Sequence, residues 1–316
     1  MVIKNTNSQK HFIDLDILES NELKSIISTA KKLKLLEPQL TKKLLESKNL
    51  AMIFSKTSTR TRVSFEAGIN QLGGHGIVMD KNSTQLGKGE SISDTAKVLS
   101  GLVDMIMIRC NEHETLLEMA KYSQIPVING LTDFSHPCQI MASILTIEEE
   151  IGSIENKKLS WFGDANNVLN SYIHGALKFN YQLDIAIPKN FDFSNEEIKK
   201  AQNQGAKINL YHDAKLAAKD SDVLITDTWF SMGDDSENNK AKQEEKKQLL
   251  NPFQVNAELM KLAKDNAIFT HCLPAYRGFE VSEEVIDSKQ SIVFKEAHNR
   301  LHVQKAIMLW LNNIKI

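Results

Sequence analysis

Asn49-Leu50-Ala51-Met52-Ile53-Phe54 passes directly into Ser55-Lys56-Thr57-Ser58-Thr59-Arg60-Thr61-Arg62 and then into Val63-Ser64-Phe65-Glu66. The first six residues form a short apolar run of strand length, which reads as a buried strand. Beyond the polar segment, Val63, Ala67 and Gln71-Leu72 continue at helical spacing toward Gly73-Gly74, a helix stop. Hydroxyls and guanidinium groups therefore fall where a strand turns into the first turn of a helix. Free backbone N–H groups and the positive end of the helix dipole gather at such a point, so an anion is favoured there. Ser58, Thr59 and Thr61 with Arg60 and Arg62 suit the three terminal oxygens of a phosphate, since arginine presents a planar fork of donors. For Ser58 alone a helix cap is the better account; for the five-residue run it is not. No P-loop and no G-x-G-x-x-G pattern occurs, so the expected phosphate site is built from side chains.

Outward from this stretch, strand-sized apolar pieces recur at 50–54, 76–79, 105–108 and 126–128, separated by helical segments. A long helical stretch runs from Pro137 to Glu150, and a second series of apolar pieces follows at 159–163, 183–187, 207–210, 223–227 and 267–270. This alternation predicts an α/β fold of two domains divided near residue 150, each a parallel sheet flanked by helices. Near the start, Ser20 is placed to cap a helix carrying Leu23, Ile26, Ile27, Ala30 and Leu33 on one face. The last helix, with Val303, Ala306, Ile307 and Trp310 on one face, is expected to pack back across the domains. The polar run from Asp234 to Gln248 reads as an exposed, mobile loop.

At 316 residues the chain is long enough for two cores. Its formal charge of −2 implies no basic field for nucleic acid. Cys110, Cys138 and Cys272 lie far apart, without metal-ligand spacing, which favours a reducing compartment. The polar N-terminus has no signal-peptide core, and no apolar stretch approaches the roughly 20 residues that span a bilayer. A cytoplasmic protein with no membrane partner is expected.

Seven further constellations carry polar chemistry. Gln85-Leu86-Gly87-Lys88-Gly89-Glu90-Ser91, ahead of a helix expected near Asp94-Thr95, suits a loop closing over an anion or an ordinary surface loop. Arg109 ends a strand, where ligands of α/β sheets gather, although an ion pair with Glu112 would also explain it. In Asp133-Phe134-Ser135-His136-Pro137-Cys138-Gln139, Pro137 fits a first helical turn and puts His136 and Gln139 on one face. Such a histidine is structural, or it polarises a carbonyl beside an arginine while Gln139 accepts from an amide. Gly163-Asp164-Ala165-Asn166-Asn167 follows a strand but lacks the glycines of a dinucleotide site, so a nicotinamide cofactor is disfavoured. Its asparagines are helix caps or contacts for an amino-acid backbone.

Asp227, at the next strand end, is suited to an α-ammonium group, with Ser231-Met232-Gly233 as a small loop beyond it. His271-Cys272-Leu273-Pro274-Ala275 is too sparse for zinc, which takes about four ligands. A nucleophilic Cys272 remains open from sequence. Arg300, in Glu296-Ala297-His298-Asn299-Arg300-Leu301, reads from composition as a solvated charge.

Ser58-Thr59-Arg60-Thr61-Arg62, followed by Phe65-Glu66-Ala67, resembles the carbamoyl-phosphate-binding segment of the aspartate/ornithine carbamoyltransferase family. The likeness extends from His11 to about Met308, and His136-Pro137-Cys138-Gln139, Ser231-Met232-Gly233 and His271-Cys272-Leu273-Pro274 are similar to its ornithine branch. His298 and Phe279 stand where the family commonly carries glutamate.

The resemblance implies transfer of a carbamoyl group from carbamoyl phosphate to the δ-amine of L-ornithine, giving citrulline and phosphate. It implies carbamoyl-phosphate contacts at Ser58, Thr59, Arg60, Thr61, Arg109, His136, Pro137, Cys138, Gln139, Cys272, Leu273 and Arg300, with Gln85 reaching in from a neighbouring subunit. Ornithine contacts fall on Asn167, Asp227, Ser231 and Met232, and catalytic roles on Arg109, His136, Asp227 and Cys272. A homotrimer with shared sites is implied, and neither metal nor organic cofactor is expected. The first domain, residues 1–150 with a linking helix at about 137–150, would hold carbamoyl phosphate. The second, residues 151–316 with a last helix at about 300–313 returning toward the first, would hold ornithine. Another acceptor (putrescine, an acylated ornithine or aspartate), a nucleotide-binding oxidoreductase and a silent binding subunit are the competing expectations.

Overall fold

The computed structural model of the chain describes residues 9–80, 89–189, 194–230 and 240–316. Two compact units result: Met1–Leu145 with His298–Ile316, and Thr146–Ala297. The division falls inside two helices, Pro137–Ile151 and Val293–Leu311, so the final helix starts in the second unit and ends in the first.

In the first unit, β1 (Asn49–Phe54), β2 (His75–Asp80), β3 (Met105–Arg109) and β4 (Val127–Leu131) form a parallel sheet in the order β2-β1-β3-β4. The inner strands β1 and β3 are apolar along most of their length and buried, as strands covered on both faces must be. Parallel neighbours need crossover connections, and helices Thr59–Gln71, Ile92–Ser100 and His113–Tyr122 lie in them. Ile53, Ile106, Ile108, Leu116, Met119 and Val127 build a core on this sheet. Phe12 pairs with β4 through Phe12 N to Val127 O and Asn129 N to Phe12 O, both 2.8 Å, and its ring meets Trp310 edge-on.

His11, just before it, accepts from the Val127 N–H at Nδ1, 3.1 Å away. Burial lowers its pKa from 6.5 to about 4. The unfolded chain therefore binds a proton between about pH 6.5 and 4 that the folded one refuses, so stability falls as pH falls through this window. Between pH 7 and pH 5 the expected loss from His11 is about 1–2 kcal/mol. Urea unfolding at the two pH values checks it; His11→Asn, which keeps an acceptor but does not titrate, is expected to remove most of the difference.

In the second unit, β5 (Lys158–Phe162), β6 (Gln182–Ala186), β7 (Lys207–Tyr211), β8 (Val223–Thr226) and β9 (Ile268–His271) form a parallel sheet in the order β7-β6-β5-β8-β9. Phe162, Leu224, Phe253, Leu259, Phe269 and Val285 are among the residues of its core. The α/β reading, two parallel sheets with helices between successive strands, is what the structure contains.

Three local expectations need correction. The first helix, Ser20–Leu35, is capped by Glu19, which forms a reciprocal capping box with Glu22, so Ser20 is inside the helix. The helix expected near Asp94 is Ile92–Ser100, capped by Ser91, whose hydroxyl accepts from Asp94 N at 3.1 Å. Residues 240–248, read as loop from their charges, belong to helix Lys240–Leu250. Lysine, glutamate, glutamine and alanine are good helix formers, and propensity decides where a strong apolar stripe is missing.

Both sheets reverse their strand order at one place. In the first the reversal lies between β1 and β3, in the second between β5 and β8. Such a switch point leaves a crevice outside the carboxyl ends of the strands, where α/β proteins bind ligands. Ser58–Arg62 and Arg109 follow or end β1 and β3, and Gly163–Asn167 and Asp227 follow β5 and β8, the strands on either side of these switch points.

Candidate active site

In the first unit, the ends of β1 and β3 are in register, Phe54 opposite Arg109, and Ser55 N donates to Arg109 O at 2.9 Å. The segment after Phe54 thus leaves the sheet beside the Arg109 side chain. Ser58 stands at the N-cap of helix Thr59–Gln71 in extended conformation, and its hydroxyl makes no capping bond. The capping account of Ser58 therefore fails. Thr61, in the first turn, is buried, and its hydroxyl accepts from Arg109 Nη1 at 3.2 Å and from Arg300 Nη2 at 3.3 Å. Arg109 turns its Nη1 to Thr61, a partner 48 residues away that composition does not suggest.

Arg300 is only 2% exposed, against the solvated charge that composition suggests. Its Nη1 donates to Gln139 Oε1 at 2.6 Å, so that oxygen, read as waiting for an incoming amide, already receives a guanidinium proton. His136 and Gln139 flank the start of helix Pro137–Ile151 and are both buried. Burial first, then the charges of Arg300, Arg109 and Arg60, hold His136 well below 6.5. At neutral pH the ring is uncharged, with one nitrogen a donor and the other an acceptor. Cys138 is pinned by its thiol to Asn129 O at 3.3 Å, and burial pushes its pKa up to about 12, so it stays a thiol. Arg60, Arg109 and Arg300 thus concentrate positive charge around buried hydroxyl and amide groups, a setting that attracts a compact anion.

The second unit gathers different chemistry at its own switch point. Phe162 and Thr226 are in register, so Gly163–Asn167 and Asp227 leave adjacent strand ends, while Thr226 is in register with His271, which precedes Cys272. Gly163 has φ +102°, and a Cβ there would lie 2.7 Å from Trp229 Nε1, so the tight exit needs glycine on two counts. Asn166 is the helix cap that one of its two readings expects. Its Oδ1 caps helix Asn167–Phe179 by accepting from Val168 N and Leu169 N, and its Nδ2 donates to Asp227 Oδ2 at 2.8 Å. Asp227 Oδ1 accepts from the Cys272 thiol at 2.7 Å.

His271 is turned elsewhere. Its Nδ1 accepts from Leu273 N at 2.8 Å and its Nε2 faces Glu280 Oε1 at 3.2 Å. The histidine beside Cys272 is therefore occupied, and the thiol's carboxylate neighbour is what distinguishes this arrangement from a Cys–His nucleophile pair. Ligand atoms of Asp227, His271 and Cys272 lie within 4.8 Å of one another, but three donors, one with both nitrogens engaged, fall short of a closed zinc site. The pairing of Asp227 with Asn166 and Cys272 is a contact that spacing in sequence gives no sign of. Gln85, Ser231 and Met232 lie outside the described residues.

Residues 10–149 match the family model described as the aspartate/ornithine carbamoyltransferase carbamoyl-P binding domain, and residues 155–311 match the Asp/Orn binding domain of the same family. The chain belongs to the aspartate/ornithine carbamoyltransferase family. Within it, the chain is 49% identical over 308 residues to the ornithine carbamoyltransferase of Nitrobacter winogradskyi, covering 96% of this chain and 98% of that relative. Among solved structures, the ornithine carbamoyltransferase of Pyrococcus furiosus superposes with a TM-score of 0.90 at 43% identity, over 98% of this chain and 99% of the other. The anabolic ornithine carbamoyltransferase of Campylobacter jejuni gives a TM-score of 0.88 at 44% identity, over 96% and 99%. A carbamoyltransferase fold thus accounts for the whole span in which the polar segments occur, and no helix among the described residues is long and apolar enough to cross a membrane.

Proposed function

We propose that this chain transfers the carbamoyl group of carbamoyl phosphate to the δ-amine of L-ornithine, releasing L-citrulline and phosphate. The observation that carries the reading is the Cys272–Asp227–Asn166 chain of hydrogen bonds, a carboxylate held between a thiol and an amide where an amino-acid acceptor must be recognised and deprotonated. Family membership and relatives named ornithine carbamoyltransferase at up to 49% identity support it.

The first domain, to about residue 150, binds carbamoyl phosphate. Ser58, Thr59, Arg60 and Thr61 hold the phosphate oxygens, with Gln85 of a neighbouring subunit in a homotrimer. Arg109, His136 and Thr61 hydrogen-bond the carbonyl oxygen as it gains charge, preorganised donors of the oxyanion type. Pro137 fixes the turn that carries His136, Cys138 and Gln139 complete that wall, and Arg300 spans Gln139 and Thr61. Leu273 and Cys272 meet the carbamoyl amide. The second domain binds ornithine through Asn167, Asp227, Ser231 and Met232. A free amine of this type has a pKa of about 10 and attacks only when neutral, so desolvation and Asp227, with Cys272, assist loss of its proton. Positioning of the two substrates supplies much of the remaining acceleration. The setting is the cytoplasm.

A citrulline assay with carbamoyl phosphate and L-ornithine, run beside putrescine, an acylated ornithine and aspartate, tests this. Product with ornithine at a kcat/KM at least about 10²-fold above the other amines is expected, because Asp227 and the asparagines demand a free α-amino acid, which putrescine and an acylated ornithine lack, and the Asp227 carboxylate repels the second carboxylate of aspartate. Preference for another amine would retain carbamoyl transfer and discard the acceptor; silence with all four would leave a binding subunit.

A further inference from the structure

Asp164 sits three residues before Asn167, yet neither the phosphate reading nor the acceptor reading uses it. Its side chain is 13% exposed and its Oδ2 lies 2.9 Å from Lys246 Nζ. Burial raises its pKa, the lysine charge opposes that, and the Asp227 carboxylate adds to the rise. The two carboxylates therefore repel, and Lys246 neutralises the one on Asp164.

The same turn is fixed in place on every side. The Asp164 carbonyl accepts from Trp161 Nε1 at 2.9 Å, and two residues later Asn166 grips Asp227. Lys246 arrives from helix Lys240–Leu250, and its seat is aromatic. Its ammonium lies 5.8 Å from the Phe230 ring, Lys247 lies 4.4 Å from the Phe279 ring, and the two rings meet edge-on at 6.2 Å. Cations over ring faces are attracted by the ring quadrupole, so the helix presents Lys246 to Asp164 from a defined position.

The geometry points to Lys246 as a positioning residue for the amine acceptor: by pairing with Asp164 it leaves Asp227 as the uncompensated carboxylate and keeps Asn166 in register with it. This rests on the assignment of Asn167 and Asp227 to the acceptor. Removing the ammonium leaves a buried carboxylate without its cation beside a second acid, a situation relieved only by proton uptake or by movement of the turn that carries Asn166. Either response disturbs the acceptor and not the phosphate cluster.

The test compares Lys246→Met, Lys246→Arg and the double variant Lys246→Met/Asp164→Asn with the unmodified chain, using carbamoyl phosphate and L-ornithine. Lys246→Met is expected to raise the KM for ornithine at least about tenfold, with the KM for carbamoyl phosphate within about twofold. Lys246→Arg keeps the charge and a near-normal KM. The double variant removes both charges and recovers most of the loss, a coupling that simple disruption of packing would not produce. An unchanged ornithine KM in Lys246→Met, equal changes for both substrates, or a double variant no better than the single one would overturn the inference. Should Lys246→Met not fold, the double variant decides alone, its near-normal ornithine KM supporting the pairing role and a raised one overturning it. Lack of ornithine turnover in the unmodified chain would instead remove the reaction assignment, and this inference with it.

Discussion

Arg60→Ala is expected to lower kcat/KM for carbamoyl phosphate by about 10²–10³-fold while leaving the fold intact. Arg60 stands in the first turn of helix Thr59–Gln71, half-buried, where the helix N-terminus and the end of β1 meet. Its charge reaches His136 together with those of Arg109 and Arg300. A phosphate leaving with extra negative charge gains from each of these groups, and most from one presenting a fork at the helix N-terminus. The buried arginines also join elements, Arg300 to both Gln139 and Thr61, so their removal would mix binding with stability. Arg60 separates the two. Initial-rate kinetics at varied carbamoyl phosphate, with a thermal melt of the same sample, provide the check. A variant with near-normal kinetics would take Arg60 out of the site, and a collapsed Tm would make it a structural residue.

The second large effect is expected at Asp227→Asn, a loss of kcat of about 10²–10⁴-fold, the usual contribution of a positioned acid or base. Asparagine preserves shape and can still accept from Asn166 or from the Cys272 thiol, but it carries no charge for an ammonium group and no basicity for its proton. Carbamoyl-phosphate affinity, assigned chiefly to Ser58–Thr61, Arg109 and Arg300, should change little. Calorimetric titration with carbamoyl phosphate or a stable phosphonate analogue, alongside the citrulline assay, distinguishes the two steps. Intact turnover in Asp227→Asn would transfer the proton-accepting role to another group; loss of donor binding would mean that Asp227 supports the fold of the site more widely.

Much of this protein was decided by local sequence. The alternation of apolar runs with helical spacing placed the nine strands of the described residues close to where they occur, most clearly the inner ones, because a parallel strand covered on both faces is short and mostly apolar. The strand-to-helix turn proposed to hold phosphate was legible for a similar reason. Strand, hydroxyls, arginines and helix are contiguous, so the chemistry and its scaffold lie within Asn49–Gln71.

What sequence left undecided belongs to residues whose partners are far along the chain. Arg300 reads as a surface charge, but it is buried on Thr61 and Gln139, 239 and 161 residues away. Composition suggests nearby Glu112 as a partner for Arg109 and gives no sign of Thr61, which its Nη1 meets because the register of β1 with β3 sets their ends side by side. Asn166 could have been a cap or a binding residue; the end of β8 brings Asp227 to it and it is both a cap and a hydrogen-bond donor. Helix Lys240–Leu250 was hidden by its charges, since Lys246 and Lys247 meet Asp164 and two aromatic rings and Leu250 is its one fully buried apolar side chain among the described residues. Sequence determined which groups were available and which lay at strand ends. The tertiary structure decided which of them meet, because strand order and register are long-range properties that no local pattern encodes.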